Sequence, residues 1–199
     1  MKTLLHTSFF VVVLATAFSA VQCLGQGSMT ITFDGPPDQP PASSYSITEY
    51  EENGMLFSPI LPAVSIGRTV SGIPAFPDNG TAYLQADGAE SLRFNFIDDS
   101  FFTLISVDLA GYSTIAPDAV VQFTGYLQDN STVTTTFSVN GIEFQTFYFG
   151  PAFSNLIRVE IPTDSWSLDN LVVMQIPEPG MSVFLIAGGF LFWMGQRRR

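Results

Sequence analysis

Apolar side chains recur at every second position through most of this chain. That is the spacing of a strand with one face in a core and the other in water. Leu92, Phe94 and Phe96 point one way, while Arg93 and Asn95 point the other. Residues 120–128 and 132–139 alternate as cleanly on either side of Asp129-Asn130-Ser131. Residues 81–86 and 91–97 flank Asp87-Gly88, a pair that predicts a hairpin-like turn. In residues 101–112 the pattern places Phe101, Thr103, Ile105, Val107 and Leu109 on one face, with Phe102 and Leu104 making the start apolar on both. Shorter strands are expected at 29–34, 45–50, 55–57 and 64–70, and longer ones at 141–149, 155–161 and 166–176. Glu51-Glu52-Asn53-Gly54 reads as a turn, and the proline-broken stretches 35–44, 59–62 and 71–80 read as loops. No segment has convincing helical spacing and no repeat is visible. About ten short strands of this kind predict an all-β fold, an antiparallel two-sheet sandwich of the jelly-roll type.

The two ends depart from this pattern. Met1 and Lys2 precede Leu4, Leu5 and an apolar run, which reads as a secretory signal peptide over about residues 1–25. The body is then 26–176. Residues 180–195 carry no charge and are mostly Met, Val, Phe, Leu, Ile, Ala and Trp. Sixteen residues span about 24 Å as a helix, which reaches across a bilayer only with help from the flanks. Pro179 suits a first helical turn, Glu178 the positive end of the dipole, and Arg197, Arg198 and Arg199 the negative end. Three arginines beside an apolar helix stay on the cytoplasmic side, so the body faces outward.

Pro177, Glu178 and Pro179, the apolar run and the closing Arg197, Arg198 and Arg199 together resemble the PEP-CTERM sorting tail of Gram-negative bacteria. The resemblance covers about the last tenth of the chain. It implies an inner-membrane anchor, recognition by an exosortase (a membrane cysteine protease-transpeptidase), and removal near the Pro-Glu-Pro. The mature protein would then reside at the cell surface or in the extracellular polysaccharide matrix. The alternative for the same residues is an ordinary C-terminal anchor that is never cut.

Charge and missing residue types narrow the chemistry. The body holds seventeen carboxylates against Arg68, Arg93 and Arg158, a net of −14, and has no lysine. That argues against a nucleic-acid partner, which needs a basic footprint. It is compatible with neutral glycans, divalent cations or simple solubility. Cys23, the only cysteine, lies in or beside the signal, so the body is expected to have no disulfide. The only histidine, His6, lies in the signal too. Histidine- and cysteine-based catalysis, Ser/Lys catalysis and His or thiolate zinc sites are therefore excluded. Phosphate-binding glycine loops do not occur. Carboxylate chemistry is what remains, and with seventeen acids some pair is inevitable, so the reading is non-catalytic; a two-carboxylate hydrolase would need a deep acidic cleft.

Oxygen ligands suit calcium. The first strand ends Phe33-Asp34-Gly35 and the last contains Trp166-Ser167-Leu168-Asp169-Asn170. This pairing is similar to that of some jelly-roll carbohydrate-binding modules, in which the first and last strands lie together and hold a structural calcium. The resemblance implies Asp34 and Asp169 as ligands, with backbone carbonyls and Glu160 as further donors. Among aromatics that could stack on sugars, Tyr112, Tyr126, Tyr148 and Trp166 are candidates. Tyr126, which shares a face with Gln122, Thr124 and Gln128, is the first choice for ligand binding. Two readings of function follow: a secreted, non-catalytic surface or matrix protein sorted by its tail, and, as alternative, a calcium-stabilised carbohydrate-binding module.

Overall fold

The computed structural model describes residues 27–34, 44–60, 66–70, 73–88, 90–162 and 164–176. The expected signal segment and the tail, with Pro177, Glu178, Pro179, Arg197, Arg198 and Arg199, lie outside them. The described chain is all-β, and no helix occurs among these residues. In chain order the strands are β1 (Met29–Ile31), β2 (Ser44–Ile47), β3 (Tyr50–Glu52), β4 (Met55–Pro59), β5 (Ile66–Val70), β6 (Ala82–Asp87) and β7 (Leu92–Phe96). They continue as β8 (Phe101–Gly111), β9 (Asp118–Leu127), β10 (Thr132–Asn140), β11 (Gln145–Tyr148), β12 (Leu156–Ile161) and β13 (Ser165–Ile176).

Every pairing is antiparallel, and the strands sort into two layers. The first runs β2-β5-β6-β13-β8-β11, with β1 alongside the second half of β13. The second runs β10-β9-β12-β7-β4-β3. Among the described residues, ladder pairing between the two passes through one residue pair, Leu156 opposite Phe102, so hydrogen bonding is continuous at that corner while the layers face each other elsewhere. This β-sandwich is consistent with the jelly roll expected from the sequence. As predicted, β1 lies against the last strand, with Ile31 opposite Leu171.

Alternation builds the core. Leu92, Phe94 and Phe96 of β7 and Val121 and Phe123 of β9 point inward and are buried, as are Met55 and Phe57 of β4. Aromatic contacts act within and between the layers: Phe57 stacks on its cross-strand partner Phe94 at 5.3 Å inside the second layer, and Phe102 of the first layer meets the edge of Phe96 of the second at 5.7 Å. Each such side chain contributes roughly 1.5–3 kcal/mol on burial. Two turns behave as their residues predict. Asn53 and Gly54 both take positive φ, 52° and 77°, and close the β3–β4 hairpin. Asn130, at φ 63°, closes β9–β10, while Asp129 Oδ1 accepts hydrogen bonds from the Ser131 amide and hydroxyl.

Three expectations are corrected. Asp87-Gly88 does not close a hairpin: β6 pairs with β5 and β13, β7 with β4 and β12, so this connection crosses between layers. The 45–50 segment is two strands in different layers, split at Thr48-Glu49. In β8 the inward residues are Phe102, Leu104, Val107 and Leu109, not one continuous alternation. The phase changes because β13 and β8 are bulged against each other. Asp169 is opposite Asp108, Val172 opposite Ser106, and Val173 opposite Leu104, with Asn170 at φ 45°. The bulge also lets Trp166 and Leu168, then Leu171 and Val173, all face the core.

A salt-free polar clamp fastens the first strand to the other layer. Glu52, next to the β3–β4 turn, accepts hydrogen bonds from the backbone amides of Thr32 and Phe33 at 3.0 and 2.9 Å and from the Tyr50 hydroxyl at 2.8 Å. Phe33 is buried with φ 58°, a conformation an ordinary side chain adopts only when its surroundings impose it.

Candidate functional site

The outward face of the second layer is polar, and its residues fall into cross-strand rows. One row, by direct register, is Thr134, Thr124, Glu160, Arg93 and Ser58. It crosses five strands, about 19 Å at roughly 4.8 Å per step. The adjoining row begins Thr132, Tyr126, Arg158 and continues on β7, β4 and β3 as Asn95, Leu56 and Glu51.

Glu160 is the hub. Its Oε1 lies 3.0 Å from both Nε and Nη2 of Arg93 and 3.3 Å from Nε of Arg158. The first contact is a hydrogen bond. The Arg158 contact is an ion pair, out of line for a hydrogen bond. Oε2 accepts from the Tyr126 hydroxyl at 2.7 Å. The Arg158 guanidinium lies over the Tyr126 ring, 3.8 Å from its centroid, a cation–π contact that fixes both side chains. The guanidinium side chains remain 40% and 38% exposed against 16% for Glu160. The face therefore shows water its N–H donors, with the carboxylate recessed.

A second polar centre lies on the outward face of the first layer. There Asp169 is completely buried beneath the 73–81 loop. Its Oδ2 accepts from Asn79 Nδ2 at 2.5 Å and Thr81 Oγ1 at 2.9 Å, and its Oδ1 from its neighbour's amide, Asn170 N, at 2.7 Å. Burial pushes the Asp169 carboxyl up to about 6, the hydrogen bonds from Asn79, Asn170 and Thr81 oppose the shift, and the charge of Asp34 adds to it. Asp34 Oδ1 accepts from the Ala82 amide at 3.2 Å. The two predicted ligands are thus neighbours, at the entry to β6. Glu160 is not with them: it belongs to the other layer and is held by Arg93, Arg158 and Tyr126. Among the described residues no group of three or more His, Cys, Asp or Glu is placed to hold a metal ion.

The aromatic candidates separate. Trp166 is fully buried in the core, so it offers no surface for a ligand, and its Nε1 has no partner among the described residues. Tyr112 packs edge-on against Phe76 at 5.6 Å. Tyr148 is 73% exposed on β11. Tyr126 stands on the polar side of β9, as its neighbours predict, but with one ring face under Arg158 and its hydroxyl bound to Glu160. Arg93, Arg158 and Glu160 were not recognised as a unit from the sequence. The available signal was the alternation Ile157-Arg158-Val159-Glu160-Ile161, which puts Arg158 and Glu160 on one face. Three hollows on the described surface are open, each of about 310–340 Å³. One, lined by Phe101, Leu127, Gln128, Asp129 and Asn155, adjoins the Tyr126 end of the face.

No family model and no curated protein matches this chain. Among solved structures, the xylan-binding CBM22-1 domain of Paenibacillus barcinonensis Xyn10C is similar at 9% identity and a TM-score of 0.39, covering 75% of this chain and 94% of that one. The CBM22-1–GH10 modules of Clostridium thermocellum endo-1,4-β-D-xylanase 10B, complexed with xylohexaose, match at 14% identity and a TM-score of 0.37. That match covers 76% of this chain and only 28% of the other. The enzymatically active domain of bacteriophage CBA120 tailspike protein 4 matches at 10% identity and a TM-score of 0.27, covering 75% of this chain and 19% of that one.

Proposed function

We propose that the body is a non-catalytic module that binds polysaccharide across the outward face of its second layer. The observation that carries this reading is the Tyr126–Arg158–Glu160–Arg93 cluster at the centre of two cross-strand rows that also carry Thr124, Thr132, Thr134, Ser58 and Asn95. A sheet face with hydroxyls, amides and fixed guanidinium donors in register suits an extended sugar chain, which presents hydroxyls along its length. Both oxygens of Glu160 are engaged by neighbours, which suits a positioning group better than a general acid. The test is isothermal titration of the protein with a panel of polysaccharides, xylan included. Saturable binding that is lost in Tyr126→Ala supports the reading. Silence across the panel refutes it.

Calcium at Asp34 and Asp169 belongs to the same proposal as a stabilising ion. The donors there are all oxygen, and a divalent cation would offset both the burial of Asp169 and the charge of its neighbour. Thr81 Oγ1, 2.9 Å from Asp169 Oδ2, would be a further oxygen donor. Calorimetric titration with calcium, alongside the melting temperature, tests it: no heat and no shift end the idea.

The tail supports a proposal of its own. Pro177-Glu178-Pro179, the apolar 180–195 run and Arg197 to Arg199 favour export, an inner-membrane stage and exosortase processing before release to the surface or matrix. The mass of the protein recovered from its native host decides between processing near Glu178 and a retained anchor.

A further inference from the structure

The geometry points to an acidic polysaccharide, one carrying carboxylate groups such as uronic acids, as the glycan this face takes. The inference rests on the polysaccharide reading above and names the substrate class of that same site. Of the three arginines in a body of net charge −14, two converge on one carboxylate here. Two guanidiniums against one carboxylate leave the cluster a net positive spot.

The donor census is more telling than the charge. A guanidinium has five N–H donors. Arg93 directs its Nε and one Nη toward Glu160, and Arg158 approaches the same oxygen with Nε alone. The remaining Nη donors of both residues are not engaged by Glu160, and the side chains that carry them are 40% and 38% exposed. Glu160 has no such surplus, since Oε1 faces both arginines and Oε2 takes the Tyr126 hydroxyl. A neutral sugar hydroxyl needs acceptors as well as donors. A carboxylate needs donors only, and it meets a guanidinium fork with two parallel hydrogen bonds.

The acidity of the rest of the body does not cancel this. On the same face Glu51 stands three strands from Arg158, about 14 Å away, and Asp118 stands six residues along β9 from Thr124, about 20 Å away. Asp129 is in the turn three residues beyond Tyr126, about 10 Å along the chain. The screening length at physiological salt is about 8 Å, so a bound carboxylate feels the two guanidiniums far more than these acids.

The test uses the full chain in a sugar-free non-ionic detergent, titrated calorimetrically with polygalacturonate and glucuronoxylan and with the same polymers after carboxyl reduction. The expected result is binding to the acidic forms that weakens about tenfold or more on reduction and falls steeply at about 0.5 M salt. Arg93→Gln and Arg158→Gln should each lose that preference. Arg93→Gln combined with Arg158→Gln and Glu160→Gln serves if the single changes disturb folding, because it removes all three charges and leaves none unpaired at the cluster. Equal binding to acidic and reduced polymers, or binding to neutral glycans alone, overturns the inference and leaves the polysaccharide reading standing. No binding to any polymer overturns both.

Discussion

Replacing Asp169 with asparagine should alter how stability depends on pH, and the size of the effect follows from the site. The carboxyl is fully buried, and burial raises it from an ordinary 3.8 to about 6 despite three hydrogen bonds that oppose the shift. Between those two values the folded protein holds a proton that the unfolded chain has released. Stability from this group is therefore complete below 3.8 and is lost as pH rises through about 6. A shift of roughly two units at 1.36 kcal/mol each corresponds to about 3 kcal/mol. Asp169→Asn keeps an acceptor for Asn79 and Thr81 but has no proton to lose. Urea unfolding of both proteins in chelator, from about pH 4 to about pH 7.5, gives the measurement. The variant should gain on the parent by about 3 kcal/mol across that range. Calcium, if it binds the ionised pair, should narrow the gap at the upper end by stabilising only the parent. A difference between the two proteins that is the same at every pH would refute the argument.

Other substitutions test other parts of the fold. Glu52→Ala strands the amides of Thr32 and Phe33 and should lower stability by about 2–4 kcal/mol in the same urea assay. Trp166→Phe removes a buried N–H without a partner among the described residues, so it should cost less than about 1.5 kcal/mol, whereas Trp166→Ala should cost about 3–5. Gly111→Ala would drive a methyl into the Pro117 carbonyl, a backbone group with no room to turn aside, and should cost about 3 kcal/mol or more, read as a fall in thermal midpoint. Tyr126→Phe deletes the hydroxyl on Glu160 while keeping the ring under Arg158; glycan affinity should fall less than in Tyr126→Ala.

Local pattern was enough for the strands and for which face of most of them is apolar. Period-two alternation is a direct consequence of the pleat, so Leu92, Phe94 and Phe96 announce their inward face without any partner in view. Asn53-Gly54 and Asp129-Asn130-Ser131 announce their turns because few other residues take left-handed backbone cheaply. The exclusion of histidine, cysteine and lysine chemistry needed only a count. Partner choice and register were decided in three dimensions. Asp87-Gly88 looks like a hairpin turn yet connects two layers, because β6 is captured by β13, some eighty residues on. The bulge at Asp169-Asn170 shifts two strands out of phase with their own alternation, and nothing in either strand alone signals it. Asp169 is fully buried and takes hydrogen bonds from Asn79 and Thr81, 90 and 88 positions away, so neither segment alone signals its raised pKa. Glu160 meets Arg93 across 67 positions of sequence because their strands are adjacent in the second layer. Side-chain direction is a short-range property of the backbone, whereas which side chains meet is set by the long-range competition of whole strands for partners.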